Sequence, residues 1–302
     1  MRRKFIWKWI GSVSIVLLLI LGANVWMLFS TIIKAADSIQ VVDEDLYVME
    51  YTGNYEFYKP ESNIAIGQYD SSAVYIQDEY GTFFFGRNYD GTKCRTMIVH
   101  ARPKNGYESI STCCLDFLDL DENNTPDGSL LDRMKCLAAI YAPLDGMNSK
   151  GLVVACLPGE NDSTEMEVVR QLLDHAADVD EAVALLEQYD SELLKGNDFY
   201  VAIADEEGKS VVAEYRNGRV KVTETPAVCI GSAGETEARN LLENAAKKNK
   251  IQKDSDSKRT VWSIVYCPEG RCADFYFADN YEESYGFILS DKGSFLKRQC
   301  NL

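Results

Sequence analysis

Hydrophobic and polar positions divide this chain into two unlike parts. Ile10 to Phe29 is a run of about twenty residues without a charge. At ~1.5 Å per residue it predicts a helix long enough for a hydrocarbon core of roughly 30 Å. From residue 71 onward, short β-favouring runs alternate with turn residues. Ser71–Gln77 has an apolar centre at Ala73 to Ile76, Asp78-Glu79-Tyr80-Gly81 supplies a turn, and Thr82–Phe85 is a second β-rich run. Together they predict a hairpin. Further strands are predicted at Thr96–His100, Tyr107–Phe117, Val153–Leu157, Phe199–Ala204, Ser210–Tyr215, Val220–Thr223, Thr260–Tyr266, Ala273–Ala278 and Tyr285–Leu289. Asn217-Gly218 reads as a type I′ turn.

Helical spacing appears in three places. Met166, Val169, Leu172, Leu173 and Ala176 fall on one face behind Ser163 as the cap,. Asp180 is expected to cap a second helix carrying Ala182, Val183, Leu185 and Leu186, and Ala238–Lys250 is the third. Asp119 to Asp132 reads as a polar, acidic surface loop, with acid spacing that does not fit a calcium-binding EF-hand,. Many strands on both sides of a helical pair predict an α+β fold, a four-layer αββα sandwich. No internal repeat or second domain boundary is visible. Ala35 to Gln68 is acidic and aromatic without strong periodicity, and reads either as a linker packed on the domain or as a propeptide.

Charge sharpens the picture of the N-terminus. Arg2, Arg3, Lys4 and Lys8 precede the apolar run, so a single-pass anchor is expected over residues 1–34, with the N-terminus in the cytoplasm and the domain outside the cell membrane,. A cleaved signal peptide is the alternative, with Lys34-Ala35-Ala36 as a weak cleavage site. Beyond residue 34 stand 26 basic and 47 acidic residues, a net charge of −21. Such a domain is repelled by nucleic acid and anionic polymers, which leaves a small molecule or peptide as substrate.

Metal chemistry is not indicated. His100 and His175 are the only histidines, and no paired Cys-x-x-Cys occurs,. His100 reads as structural and His175 as a solvent-facing helical residue. Nine cysteines lie at 94, 113, 114, 136, 156, 229, 267, 272 and 300. Most sit in apolar runs and read as small core residues. Cys267-Pro-Glu-Gly-Arg-Cys272 could close a hairpin loop as a disulfide.

The predicted hairpin carries a more specific pattern. Ser71 is followed sixteen positions later by Arg87, within Gly86-Arg87-Asn88-Tyr89-Asp90. Leu144-Asp-Gly-Met-Asn-Ser-Lys-Gly-Leu152 then feeds a buried strand. Both segments resemble the N-terminal-nucleophile hydrolases of the choloylglycine hydrolase and acyl-CoA:6-aminopenicillanic acid acyltransferase group, and the likeness extends over roughly residues 65–292. The resemblance implies a nucleophile at Ser71 freed by cutting the Asp70–Ser71 bond, where the family has cysteine. It also implies pocket roles for Arg87, Asp90 and Arg239. No cofactor and no metal are implied, the substrate is a small acyl-amide, and family members often assemble, which leaves a homo-oligomer open. Two family features depart: Cys156-Leu157-Pro158 stands where an asparagine is expected, and Ile230-Gly231-Ser232 replaces a Thr-Asn pair near the oxyanion site.

The chemistry is coherent. A freed α-amine has a pKa near ~7.7–8.0 and can serve as general base. Nucleophile and amine then form a variant of the triad. Asp90 would orient the amine or the nucleophile, and Arg87 would supply a positive field. Without the resemblance, Arg87 and Asp90 read as a local ion pair at a hairpin end, and Arg239 as a helix-surface residue. The resulting expectation is a membrane-anchored hydrolase of linear non-peptide amide C–N bonds in three segments: 1–34 anchor, 35–70 linker or propeptide, 71–302 hydrolase domain. The alternative is a catalytically degenerate binding domain on the same fold, recognising a small acyl-amide or anionic ligand.

Overall fold

The computed structural model describes residues 19–20, 22, 26, 29–55, 70–91, 94–118, 120, 125–158, 166–188, 199–216, 219–229, 234–252, 259–289 and 294–299. A helix that includes residues 29–38 (α1) is followed by β1 (Gln40–Asp43), β2 (Leu46–Gly53), β3 (Asp70–Gln77), β4 (Phe83–Gly91), β5 (Thr96–Pro103) and β6 (Ser109–Cys114). Then come α2 (Leu130–Cys136), β7 (Asp145–Asn148), β8 (Val153–Leu157), α3 (Met166–His175) and α4 (Val179–Gln188). The second half holds β9 (Phe199–Ala204), β10 (Ser210–Arg216), β11 (Arg219–Glu224), β12 (Val228–Cys229) and α5 (Gly234–Gln252). The chain closes with β13 (Arg259–Cys267), β14 (Cys272–Phe277), β15 (Glu283–Ile288) and β16 (Ser294–Gln299).

The strands form a nine-stranded sheet, β1-β2-β5-β6-β7-β8-β9-β10-β11, and a seven-stranded sheet, β12-β3-β4-β13-β14-β15-β16. Among the described residues, only the β2–β5 and β12–β3 pairs are parallel. The alternation of side chains shows how the layers stack. In β8, Val153 and Ala155 enter the core between the two sheets, while Val154 and Cys156 enter a second core under α3 and α4,. In β4, Phe85 and Tyr89 face the inter-sheet core, and Phe84 meets Ala238, Leu242 and Ala246 of α5 in a third. The order is therefore helix pair, sheet, sheet, helix: the four layers expected from the strand and helix pattern. Where a strand is covered on both faces, as β8 is, it reads as a continuous apolar run instead of an alternating one,.

Gly86 sets how closely α5 approaches. A Cβ there would lie 3.0 Å from Val74 and 3.1 Å from Leu242. On the other face of the same sheet, Trp262 is fully buried and stacks on Tyr89 with ring centres 4.0 Å apart.

Several expectations are corrected. Within the stretch 35–68, where no strand is predicted, residues 40–53 build β1 and β2. Leu46, Tyr47, Val48, Met49 and Tyr51 are buried there, so the packed core begins before residue 71. The first half of β2, Leu46–Met49, shows no alternation because residues of both parities are buried. The acidic excursion ends in α2, whose start is a capping box: Ser129 takes the Asp132 amide, and Asp132 takes the Ser129 amide in return,. The strand expected to run to Phe117 stops at Cys114 and gives way to a 3₁₀ turn, Leu115–Leu118. Asp178, not Asp180, caps α4, since its Oδ1 accepts the Glu181 N–H at 2.8 Å,. β10 and β11 pair with Arg216 opposite Arg219, while the Asn217-Gly218 turn and the Ser163 cap lie outside the described residues.

Most of the apolar run expected to span a membrane also lies outside the described residues, among which no helix is long and apolar enough to cross one. Among the described residues, no group of three His, Cys, Asp or Glu is placed to hold a metal ion. Cys94, Cys113, Cys114, Cys136 and Cys156 are buried, and His175 is exposed on α3.

Asn148 is wholly structural. Its Nδ2 donates to the carbonyls of Leu173 and Ala176 at the end of α3, and its Oδ1 accepts the Lys150 and Leu152 amides. Four hydrogen bonds converge on one fully buried side chain. Asn148→Ala should lower the unfolding free energy by about 2–3 kcal/mol, because buried backbone groups lose their partners. Urea titration measures this directly.

His100 sits buried in β5, with Nε2 2.6 Å from Glu108 Oε1; Arg102 also contacts Glu108 and reaches toward Glu50. Burial lowers the His100 pKa, opposed by the Glu108 hydrogen bond. Folded His100 therefore favours its neutral form more than the unfolded chain does. That contribution to stability is fully present above the ordinary value near ~6.5 and is lost as pH falls from there toward the lowered folded value. Urea unfolding should show stability rising with pH through this window, and His100→Gln should flatten that part of the curve.

Candidate active site

β3 and β4 form the hairpin predicted from the pattern, with a ladder that runs from Gln77↔Phe83 to Asp70↔Asp90. Asp78 ties the turn by accepting the Tyr80 and Thr82 amides on its Oδ1. Ser71 stands opposite Tyr89 at the open end of the hairpin and is half-buried. Arg87, opposite Ala73, projects from the same face, since both the 71/73 and 87/89 positions are two apart,.

This face looks across to the nine-stranded sheet, and there Arg87 is completely enclosed. Its Nη1 meets Asp145 Oδ2 at 2.5 Å and also donates to the Leu144 carbonyl. Its Nη2 donates to the Cys156 carbonyl at 2.8 Å. Its Nε donates to Ser71 Oγ at 3.0 Å, and that hydroxyl donates in turn to the Asn88 carbonyl at 3.0 Å. The carboxylate partner is equally well held. Asp145 Oδ1 accepts hydroxyl hydrogens from Thr112 at 2.6 Å and Tyr266 at 2.7 Å. Burial, then the Asp145 charge, push the Tyr266 phenol well above its ordinary pKa, so Tyr266 remains a donor.

Both members of the Arg87–Asp145 pair are 0% exposed. A buried pair of this kind is tolerated only when every remaining donor and acceptor is occupied. Here one guanidinium nitrogen is left to point at a serine oxygen. The result is a rigid cationic donor aimed at a hydroxyl, able to stabilise negative charge that develops on or next to that oxygen.

The sequence is matched by no family model and by no curated protein. Among solved structures, the chain is similar to a variant of the conjugated bile acid hydrolase from Clostridium perfringens, with 14% identity and a TM-score of 0.47, over 76% of this chain and 97% of that one. It is also similar to a penicillin V acylase from Agrobacterium tumefaciens, with 14% identity and a TM-score of 0.42, over 73% and 86%. A second variant of the Clostridium perfringens enzyme shows 13% identity and a TM-score of 0.46, over 76% and 97%.

Two other expected site residues are not brought to Ser71 Oγ. Asp90 lies three positions after Arg87, an odd number, so its side chain leaves the opposite face of β4. There it accepts a hydrogen bond from Thr260 Oγ1. Its neighbour on that face, Asn88, receives Ser263 Oγ at 2.6 Å and donates to the Leu242 carbonyl of α5 at 2.9 Å. Arg239 belongs to α5, which packs on this far face of the seven-stranded sheet. The helix starts with Gly234 against Phe84 and reaches Asn88 only at Leu242. Arg239 therefore lies on the wrong side of the sheet and toward the wrong end of β4. Residues 230–232, expected near the oxyanion site, lie outside the described residues.

Asp145, Tyr266 and Thr112 were not anticipated as site residues. Asp145 stood in plain view inside Leu144-Asp-Gly-Met-Asn, where a lone acid between apolar residues entering a buried strand is a signal for a charged partner. Tyr266 and Thr112 carried no signal, because both are ordinary strand residues whose hydroxyls acquire a role only across the inter-sheet gap.

Proposed function

We propose that this chain is an amide hydrolase that acts on linear, non-peptide C–N bonds through an acyl-enzyme on Ser71. The observation that carries the reading is the 3.0 Å approach of Arg87 Nε to Ser71 Oγ, with the guanidinium locked from behind by Asp145 and two carbonyls. The Ser71–Arg87 spacing and the Asn148 turn, which resemble N-terminal-nucleophile hydrolases, support it.

In this reading, cleavage of Asp70–Ser71 frees the Ser71 amine. That amine takes the hydroxyl proton as Oγ attacks the amide carbon, and the proton passes to the departing amine as the C–N bond breaks. Water, deprotonated by the same amine, then cleaves the ester and returns Ser71. Histidine is unnecessary, in keeping with a chain whose two histidines lie elsewhere. The basic stretch before Ile10–Phe29 supports a membrane anchor with the domain outside.

One consequence separates this proposal from simple propeptide release. β2 is bonded along its length to β5, from Leu46↔Thr96 to Gly53↔Pro103. Cutting at residue 70 would leave residues 1–70 attached through that ladder, so a processed domain stays on its anchor. Mass spectrometry of the full chain tests this. The expected result is two fragments, one beginning at Ser71, that co-elute natively and separate in denaturant, together with hydrolysis of acyl-amides. An intact chain without turnover overturns the proposal.

The alternative, a catalytically degenerate domain that binds a small acyl-amide or anionic ligand, would draw on the same Arg87 Nε beside Ser71 without Asp90, whose side chain points to the other face of the sheet; acyl-amide turnover by the natural chain overturns it.

A further inference from the structure

The hairpin that joins β13 to β14 lies at the other end of β13 from Thr260 and so away from Ser71. Cys267 is the last residue of β13, Cys272 the first of β14, and the two are directly opposite in the ladder. Opposed residues of an antiparallel pair have Cα atoms about 4.5–5.5 Å apart, inside the ~4.4–6.8 Å range a disulfide needs. The sulfurs also converge. A Cβ added to Gly270 would lie 3.0 Å from Cys272 Sγ and 3.1 Å from Cys267 Sγ. Glycine thus keeps the loop from pressing on either thiol. Both stand as free, half-buried thiols, unlike Cys94, Cys113, Cys114, Cys136 and Cys156, which are buried.

We propose that Cys267 and Cys272 form a redox-active dithiol that exchanges with low-molecular-weight disulfides and closes reversibly into a cross-strand disulfide. The division of labour follows from the hydrogen bonding. A hydrogen bond from Cys272, then one from the Gly270 backbone, hold the Cys267 thiol down at about 7 against burial and the acids Glu269 and Glu235. The same bond, burial and Asp274 push Cys272 up. Cys267 is thus the attacking thiolate and Cys272 the resolving thiol, the asymmetry that exchange requires.

In the first step Cys267 Sγ bonds to one sulfur of the small disulfide, whose S–S bond breaks and releases a thiolate. Cys272 then gives up its proton to that thiolate and attacks Cys267 Sγ, expelling the second. The protein dithiol loses two electrons, and one small disulfide becomes two thiols. The closed ring spans only Cys267 to Cys272, so little loop entropy is gained and reduction stays accessible.

The loop between the two thiols is a bridge between sheets. Arg271, in the left-handed region at φ 49°, donates from Nε to the Ser149 carbonyl at 2.8 Å and from Nη1 to Glu206 Oε2 at 2.7 Å. Oxidation therefore fixes the base of a loop that clamps the nine-stranded sheet.

The test uses the full chain in detergent, treated with oxidised glutathione near neutral pH, followed by alkylation and peptide mapping. The expected peptide holds Cys267 and Cys272 joined and two hydrogens lighter, and dithiothreitol restores it under native conditions. Cys272→Ser should accumulate a glutathione adduct on Cys267, and Cys267→Ser should abolish closure and leave Cys272 unmodified. Absence of closure in the folded chain, first attack at Cys272, or a disulfide that resists native reduction would each overturn the proposal. Circular dichroism on both serine variants confirms that folded protein is being compared.

Discussion

Asp145→Ala lowers the unfolding free energy by about 3–5 kcal/mol, the usual cost of stranding one member of a buried ion pair. Arg87 would keep its charge in a fully enclosed site, with only the Leu144 and Cys156 carbonyls and Ser71 Oγ as acceptors. Thr112 and Tyr266 would lose their common acceptor as well. Urea denaturation measures the loss, and a change below about 1 kcal/mol would show that the pair is solvated, contrary to its complete burial. The double replacement Arg87→Met with Asp145→Leu supplies the control. Apolar groups of similar volume should recover part of the stability, since removing both charges also removes their desolvation cost, while the Thr112 and Tyr266 hydroxyls stay without their acceptor,. That variant should nevertheless hydrolyse no acyl-amide, because the cation next to Ser71 is gone. Fold and chemistry would then be separated in one protein.

Ser71→Ala should reduce acyl-amide hydrolysis at least about 10³-fold, as expected when a nucleophile is deleted and only binding and electrostatics remain. Cleavage at Asp70–Ser71 should stop in the same variant, so the intact mass reports on the first effect and a turnover assay on the second. The fold should survive. Ser71 is half-buried at a hairpin end, and the expected cost of about 1–3 kcal/mol comes from leaving Arg87 Nε without its acceptor,. Retained turnover in Ser71→Ala would remove Ser71 from the chemistry. Ser71→Cys is the informative companion. A thiol is partly ionised at neutral pH and needs less help from a base than a hydroxyl does, so turnover in that variant alone would mean that the natural serine is idle.

Much of the architecture is legible in the sequence. The hairpin β3–β4 lies where turn residues separated two β-rich runs, and Met166, Val169, Leu172, Leu173 and Ala176 are all buried as their spacing required. Val153–Leu157 reads correctly as a buried strand because both of its faces are apolar. β2 failed for a related reason. Its residues mix tyrosine, methionine and valine without period, and nothing local says that β5 lies alongside. α2 was lost inside an acidic stretch, although Ser129 and Asp132 carry the capping signal at the right spacing.

For the site, the linear pattern sufficed to pair Ser71 with Arg87, while the structure does not bring Asp90 or Arg239 to Ser71 Oγ. Three positions along a strand is an odd step, so the parity of the strand already told against Asp90 facing the same pocket as Arg87. Arg239 could not be judged so simply. Whether a helix residue reaches a strand residue depends on which face of the sheet the helix covers, and α5 covers the face occupied by Asn88.

What the sequence determined by itself is therefore local: the alternating runs, the turns, the helix faces, and a serine and an arginine set sixteen residues apart on one hairpin. Each of these follows from the period of a strand or helix and from side chains within a few positions. Only the tertiary structure decided that Arg87 is paired with Asp145 and that Tyr266 and Thr112 brace that acid. Those contacts depend on layers and registers that bring distant segments together, and burial gives them their strength by removing the water that would otherwise screen every charge.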